Sequence, residues 1–377
     1  MSAQDSLAAP EVLVRQPVAE PEPSLVVASQ WRLMWWRFRR HRLALAGGVV
    51  ILLLYLVAIF AEFLAPYDPE ATSVQFTFAP PQVVHVYMVG AYVFGYRSVV
   101  DPQALRRTFT VDESVGISVH LFSRGPSYKL WGLIPMNLHL IGPEDASAPM
   151  YLLGSDRLGR DVLSRIIYGT RISMSIGLVG VALSLILGVL LGGISGYYGG
   201  AIDTAIQRVI EFLRSIPTIP LWLGLAAALP ASWSPLQVYF AITVILSLLG
   251  WTGLARVVRG RFLSLREEDF VMAARLDGSS QLRIIVRHMV PSFLSHIIAS
   301  ITLAIPAVIL SETALSFLGL GLRPPVISWG VLLQEAQNIR SVATAPWLLA
   351  PGAAVVLAVL GLNFLGDGLR DAADPYG

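Results

Sequence analysis

Between Leu43 and Leu64 the chain is apolar almost without interruption, broken only by Glu62, and five comparable stretches follow: 172–196, 203–229, 236–254, 292–314 and 347–365. A helix crosses the hydrocarbon of a bilayer in about 20 mainly apolar residues. Six such stretches predict an all-α polytopic membrane protein with six transmembrane helices. Pro217 and Pro220 interrupt the third and Pro306 the fifth, positions where helices kink. The composition agrees, with 55% hydrophobic and only 14% charged residues. Those values exclude an ordinary soluble domain.

Basic residues give the orientation. Arg32, Arg37, Arg39, Arg40, His41 and Arg42 precede the first span, beside Trp31, Trp35 and Trp36. A second cluster between the fourth and fifth spans holds seven arginines (256, 259, 261, 266, 275, 283 and 287) against Glu267, Glu268, Asp269 and Asp277. Both sites read as cytoplasmic by the positive-inside rule, and the aromatics as interfacial anchors. Counting crossings between the clusters gives the same answer, so both termini are expected in the cytoplasm.

The expected organisation is a flexible tail over 1–30, a basic interfacial segment with the first helix over 31–65, and an extracytoplasmic insert over 66–153. A core with five helices follows over 154–369, and a short tail over 370–377. In the insert Val115, Ile117, Val119 and Leu121 alternate with Gly116, Ser118 and His120, a period-2 strand signal. Val83, Val84, Val86, Tyr87 and Val89 form a second β-prone run, so the insert is expected to be small and partly β.

Several chemistries are missing from the sequence. There is no cysteine, hence no disulfide or thiolate site. The single lysine, Lys129, follows Tyr128. A phosphate-binding loop needs Gly before its Lys, so ATP and Mg are expected in a partner and no cofactor in this chain. The six histidines are scattered and suggest no metal set. A formal charge of +2 is no argument for a nucleic-acid partner.

The stretch from Phe270 to Pro291 is an arginine-rich island between apolar spans. Its punctuation predicts a helix to about Leu276, a left-handed Gly278, a second helix capped by Ser279, and an end before Pro291. This elbow, within 259–291, resembles the Glu-Ala-Ala loop of ABC importer permeases at Ala273, Ala274, Gly278 and Pro291, with Met272 where that family usually has Glu. Gly154-Ser155-Asp156-Arg157-Leu158-Gly159-Arg160-Asp161, Gly196-Tyr197-Tyr198-Gly199-Gly200, the stretch from Glu312 to Gly321, and Asn363 to Asp371 are similar to the dipeptide/oligopeptide/nickel permease family. So is the beginning, a basic stretch, one helix, then Ala65-Pro66-Tyr67-Asp68-Pro69. The chain looks like the second permease of such an importer, with an enlarged insertion.

The resemblance implies the six-helix fold of type I ABC importers in a bacterial inner membrane. It also implies three kinds of partner besides the lipid bilayer: a paralogous permease, two ATPase subunits or domains, and an external substrate-binding protein. The elbow is then expected to seat in the ATPase, with Phe270, Val271, Ala273 and Ala274 packing there and Arg275 and Arg283 reaching acidic groups around Gly278. The aromatic insert, with Tyr87, Tyr128 and Trp131, is expected to meet the binding protein.

Two readings stand for Glu312. A carboxylate at membrane depth lines a path, or it is a helix-start carboxylate bonded to backbone amides near Ser311 and Thr313. Glu211 and Arg214 sit i,i+3 and are expected to pair. Asp156, Arg157, Arg160 and Asp161 are expected to neutralise one another in an interfacial helix. The rival classes are a stand-alone secondary transporter or channel, and a membrane-embedded hydrolase. The first calls for ionisable groups deep in the spans, which are nearly free of them. The second calls for a carboxylate pair, a metal set or an activated serine.

Overall fold

A computed structural model describes residues 30–87, 90–101, 106–145, 147–230 and 232–373. Most of the tail expected over 1–30 and the end of that over 370–377 lie outside them. An interfacial helix α1 (Gln30–Phe38) leads into α2 (Arg42–Ile59), which begins where the His41 ring accepts from the Ala44 amide at 3.1 Å. A single turn, α3 (Ala61–Leu64), ends this first crossing.

Four antiparallel strands follow in the order β1 (His85–Tyr87), β2 (Gly90–Asp101), β3 (Arg106–Leu130) and β4 (Ile134–Pro143). The first half of the long β3 pairs with β2, Ala91 opposite Val119. Its second half pairs with β4, Ser123 opposite His139. The alternating run behaves only partly as expected: Ile117 and Val119 join Val93 and Met150 in a small core, whereas Val115 and Leu121 stay exposed. Of the run around Val83, His85–Tyr87 pairs with β2 while Val83 and Val84 stay outside the sheet, and Val89 lies outside the described residues.

The sheet is fastened to the helices below it. The His139 ring nitrogens sit 2.6 Å from the Ala65 carbonyl oxygen and 3.0 Å from that of Pro126. Trp131 donates its indole N–H to the Ile59 carbonyl at 2.8 Å. Tyr67 donates its hydroxyl to the Ala148 carbonyl at 2.7 Å.

The remaining crossings are α4 (Val162–Tyr198), the pair α5 (Gly200–Ser215) and α6 (Thr218–Ala227), α7 (Pro235–Leu265), and two further helices after the elbow. Ser234 and Gln237 form a reciprocal cap at the start of α7, with Pro235 in its first turn. The elbow holds α8 (Asp269–Leu276), α9 (Gln281–Arg283), wider turns over Ile284–Met289 and α10 (Val290–Ser292). Then come α11 (Leu294–Phe317), the short α12 (Trp329–Gln334) and α13 (Ile339–Thr344), and α14 (Ala350–Ala373). Among the described residues five helices are long and apolar enough to cross a membrane, and the bent pair, taken as one span, counts as a sixth. Successive crossings alternate in direction, so α1, the elbow and the end of α14 share the end opposite the sheet. Phe38, Ala44 and Ala372 pack together there.

The third crossing departs from the expected kinked helix. It is broken, and its halves meet at 84°. Ile216 precedes a proline and goes extended, with ψ 129°, and α6 starts afresh after Pro217. The second and fourth crossings overrun their expected limits of 172–196 and 236–254. At about 1.5 Å per residue, α4 with its 37 residues is longer than the hydrocarbon is thick. It packs against α7 along glycines: a Cβ on Gly192 would lie 2.4 Å from the Ala255 carbonyl oxygen.

Candidate coupling elbow and solute path

The elbow is built as the punctuation predicts up to Gly278. Gly278 has φ +74°, and the Ser279 amide donates to the Ala274 carbonyl at 3.1 Å while the Gly278 amide donates to Arg275 at 3.0 Å. These two bonds close the last turn of α8 and aim the chain back towards α7. The second helix differs from expectation. Ser280, not Ser279, occupies its capping position and makes no side-chain bond. Pro291 does not end it, because the chain stays helical through to Ser292.

Packing separates the expected docking residues into two faces. Val271 and Ala274 point inward and join Tyr197, Val258, Phe262, Ile284 and Met289 in a buried cluster. They therefore pack the elbow against its own core, and the other expected apolar docking residues lie on the face turned away from it. Phe270, Met272, Leu276, Leu282 and Val286 form the exposed apolar face, with Leu276 88% exposed; Ala273 is exposed beside them. The Arg275 guanidinium lies 5.1 Å from the Tyr197 ring centroid, a cation–π contact that holds it near the core. Arg283 is exposed.

A bond missed in the sequence stiffens this end. Asp203 accepts both Nε and Nη2 of Arg259 at 2.5 Å, which ties α5 to α7. No local spacing links residues 56 positions apart. Glu211 pairs with Arg208 at 2.8 Å, not with Arg214.

At the sheet end, buried Asp156 and Arg165 form a cluster with half-buried Arg160 and Glu335. Asp156 Oδ2 accepts from Arg160 Nε at 2.7 Å and from Arg165 Nη1, and Glu335 Oε1 accepts from Arg160 Nη2 at 3.1 Å. The residues expected to cancel one another in a helix thus lie in the turn before it, and two essential members, Arg165 and Glu335, were not foreseen. Asp161 stands apart as the N-cap of α4, accepting from the Ser164 amide at 2.7 Å.

Burial pushes the Asp161 carboxyl up to about 6. A folded pKa above the unfolded value stabilises fully at low pH and loses that contribution as pH rises through about 6. The loss is about 3 kcal/mol at neutral pH. Asparagine caps as well as aspartate. Asp161→Asn is therefore expected to raise the melting temperature of the detergent-solubilised protein at pH 7.5, with the gain shrinking towards pH 4. A melting series in pH that shows a constant difference would contradict this.

Glu312 lies well inside α11, so the helix-start reading is wrong. It is fully buried, and its Oε1 accepts from Ser316 Oγ at 2.7 Å and Ser328 Oγ at 2.8 Å. Ser328 also caps α12, accepting from the Val331 amide at 3.2 Å. Glu312 thereby fastens the loop between α11 and α12.

Two cavities flank the helices. One of about 750 Å³ lies where the insert meets the membrane core, walled by Tyr67, Tyr128, Tyr168, Arg171 and Tyr239 among others. Of the aromatic residues expected to meet a partner, only Tyr128 lines it, with its hydroxyl bonded to the Leu138 carbonyl at 2.6 Å. Trp131 is committed to α2, and Tyr87 stands 73% exposed on the edge strand. The second cavity, of about 450 Å³, is walled by the middle of α4, α7 and α11 and by the bend between α5 and α6.

A helical membrane protein with a broken third crossing, a mid-depth cavity beside it and a rigid bump at one end has the architecture of a transport permease. Residues 188–376 match the family described as binding-protein-dependent transport system inner membrane component. Residues 29–81 match the N-terminal TM domain of oligopeptide transport permease C. The chain is 33% identical to the dipeptide transport system permease protein DppC of Alkalihalophilus pseudofirmus, covering 94% of this chain and 93% of that one. It is 29% identical to the oligopeptide transport system permease protein OppC of Bacillus subtilis, over 92% and 90%. It is 32% identical to the glutathione transport system permease protein GsiD of Pectobacterium atrosepticum, over 93% and 92%. The chain belongs to the binding-protein-dependent transport permeases, and it is a permease subunit of an ABC importer.

Proposed function

We propose that this subunit forms half of the path by which peptides or similarly sized solutes enter a bacterial cell. It works beside a paralogous permease, above two ATPase subunits or domains that bind ATP and Mg, and beneath an external substrate-binding protein. The observation that carries the reading is the elbow, with its exposed apolar face at the end of the bundle opposite the sheet. An arginine excess at that end supports a cytoplasmic elbow and cytoplasmic termini, and the dipeptide, oligopeptide and glutathione names of the relatives support the solute class. Tyr87 and its exposed neighbour Val86 on the edge strand suit contact with the binding protein, while Glu312, which lines neither cavity, holds the loop between α11 and α12.

The complete complex, reconstituted in liposomes with its binding protein, is expected to accumulate a labelled tripeptide only when ATP is supplied on the elbow side. Accumulation by the permeases alone, driven by an ion gradient, would instead establish a secondary transporter.

A further inference from the structure

We infer that Arg214 is an anion site inside the path and takes the carboxylate of the passing solute, an inference that rests on the importer reading above. Arg214 is the only charged residue lining the mid-depth cavity. The cavity walls come from residues 181–184 of α4, 246–253 of α7 and 304–311 of α11, the middle portions of those helices. The acid expected to neutralise Arg214 is taken by Arg208, and among the described residues Arg214 has no ion-pair partner and no hydrogen bond. A place in the last turn of α5 suits a cation but does not explain why the side chain opens on a cavity.

An ionised side chain at this depth is costly and marks a solute or ion pathway. A guanidinium also presents paired donors that match a carboxylate. Four hydroxyl side chains, Ser184, Thr218, Thr252 and Ser311, share the cavity and can bond the rest of a polar solute. Trp222 adds an aromatic wall. Arg214 lies next to the break at Ile216–Pro217, so a change in the 84° angle would carry the anion site with it. The site would then hand its anion on when the two halves of the third crossing move.

The test uses the complete complex, freed of cysteine in its other subunits, with Thr218→Cys as reporter and Ser311→Cys as a second reporter. A negatively charged methanethiosulfonate is expected to react about fivefold faster than a neutral one of similar size, because a nearby unpaired positive charge concentrates anions. Arg214→Gln is expected to bring the ratio to about one, and Arg214→Lys to restore most of it. In liposomes the parent is expected to favour triglycine over triglycine amide. Arg214→Gln should erase much of that preference while the same binding protein serves both, and Arg214→Lys should retain it. A parent thiol ratio near one would overturn the inference, since it would mean that a carboxylate of the paired permease already occupies Arg214. Equal loss of both peptides in Arg214→Gln would overturn it as well. An anionic thiol preference in a complex that moves neither peptide would uphold the anion site and sink the peptide reading.

Discussion

Gly278→Val is expected to uncouple ATP hydrolysis from the loaded binding protein while leaving the chain inserted in the membrane. Gly278 sits at φ +74°. A Cβ there would meet no atom within 4 Å, so the penalty is conformational and not steric. A side chain in that region costs about 1–3 kcal/mol, and a branched one is the worst case. The turn relaxes by giving up the Ser279–Ala274 bond, and α8 then loses its fixed angle to the core. A loss of coupling near 1.4 kcal/mol is about tenfold in the stimulation of ATP hydrolysis. Gly278→Ala should show a smaller loss. The measurement is ATP hydrolysis by the purified complex with and without loaded binding protein, and parent-like stimulation in Gly278→Val would remove the elbow from the coupling route.

Asp156→Ala is expected to destabilise the subunit more than any surface change. Asp156 is 1% exposed and Arg165 3%. Without the aspartate, Arg165 keeps only Glu335 at 3.4 Å, and Arg160 loses its 2.7 Å partner. Breaking a buried ion pair from one side costs about 3–5 kcal/mol because the other charge stays behind uncompensated. The loss also removes the acceptor of the Leu158 and Arg160 amides, at 2.8 and 3.0 Å, that shapes the turn before α4. Size-exclusion of the solubilised chain should show little monodisperse protein, and what survives should melt well below the parent. A melting temperature within a degree or two of the parent would show that the cluster is not a structural keystone.

The same cluster explains which parts of the fold were legible in the sequence. The apolar middle of each crossing was visible because burial in lipid leaves no alternative composition. The beginning of α4 was not, because Arg165 and Arg171 look like the outside of a membrane until their partners are known. Glu62 holds Arg171 through two bonds of 2.7 and 2.6 Å from 109 positions away, and Glu335 reaches Arg160 and Arg165 from the far end of the chain. Long-range neutralisation leaves no local spacing to read.

Elsewhere the signal was present but ambiguous. Phe270 with Ala273, and Val271 with Ala274, are both apolar pairs at helical spacing, and only the packing shows that the second faces inward. Glu211 has an arginine three residues before and another three after, and the helix geometry selects Arg208. Pro217 announced an irregular third crossing, but whether the chain bends or breaks depended on Ile216 turning extended. Gly278 was readable outright, because its left-handed conformation is a requirement on one residue and needs no partner.

In the proposed assembly the ATPases grip the elbow through its outer face. The direct measurement places a photoreactive benzoyl-phenylalanine at Leu276, the most exposed apolar residue of the elbow, or at Val111 on the sheet, which is also well exposed. After illumination of the assembled complex in membranes, an adduct with the ATPase subunit is expected from position 276 and none from position 111. An ATPase adduct from the sheet, or its absence from the elbow in a complex that still hydrolyses ATP, would contradict it.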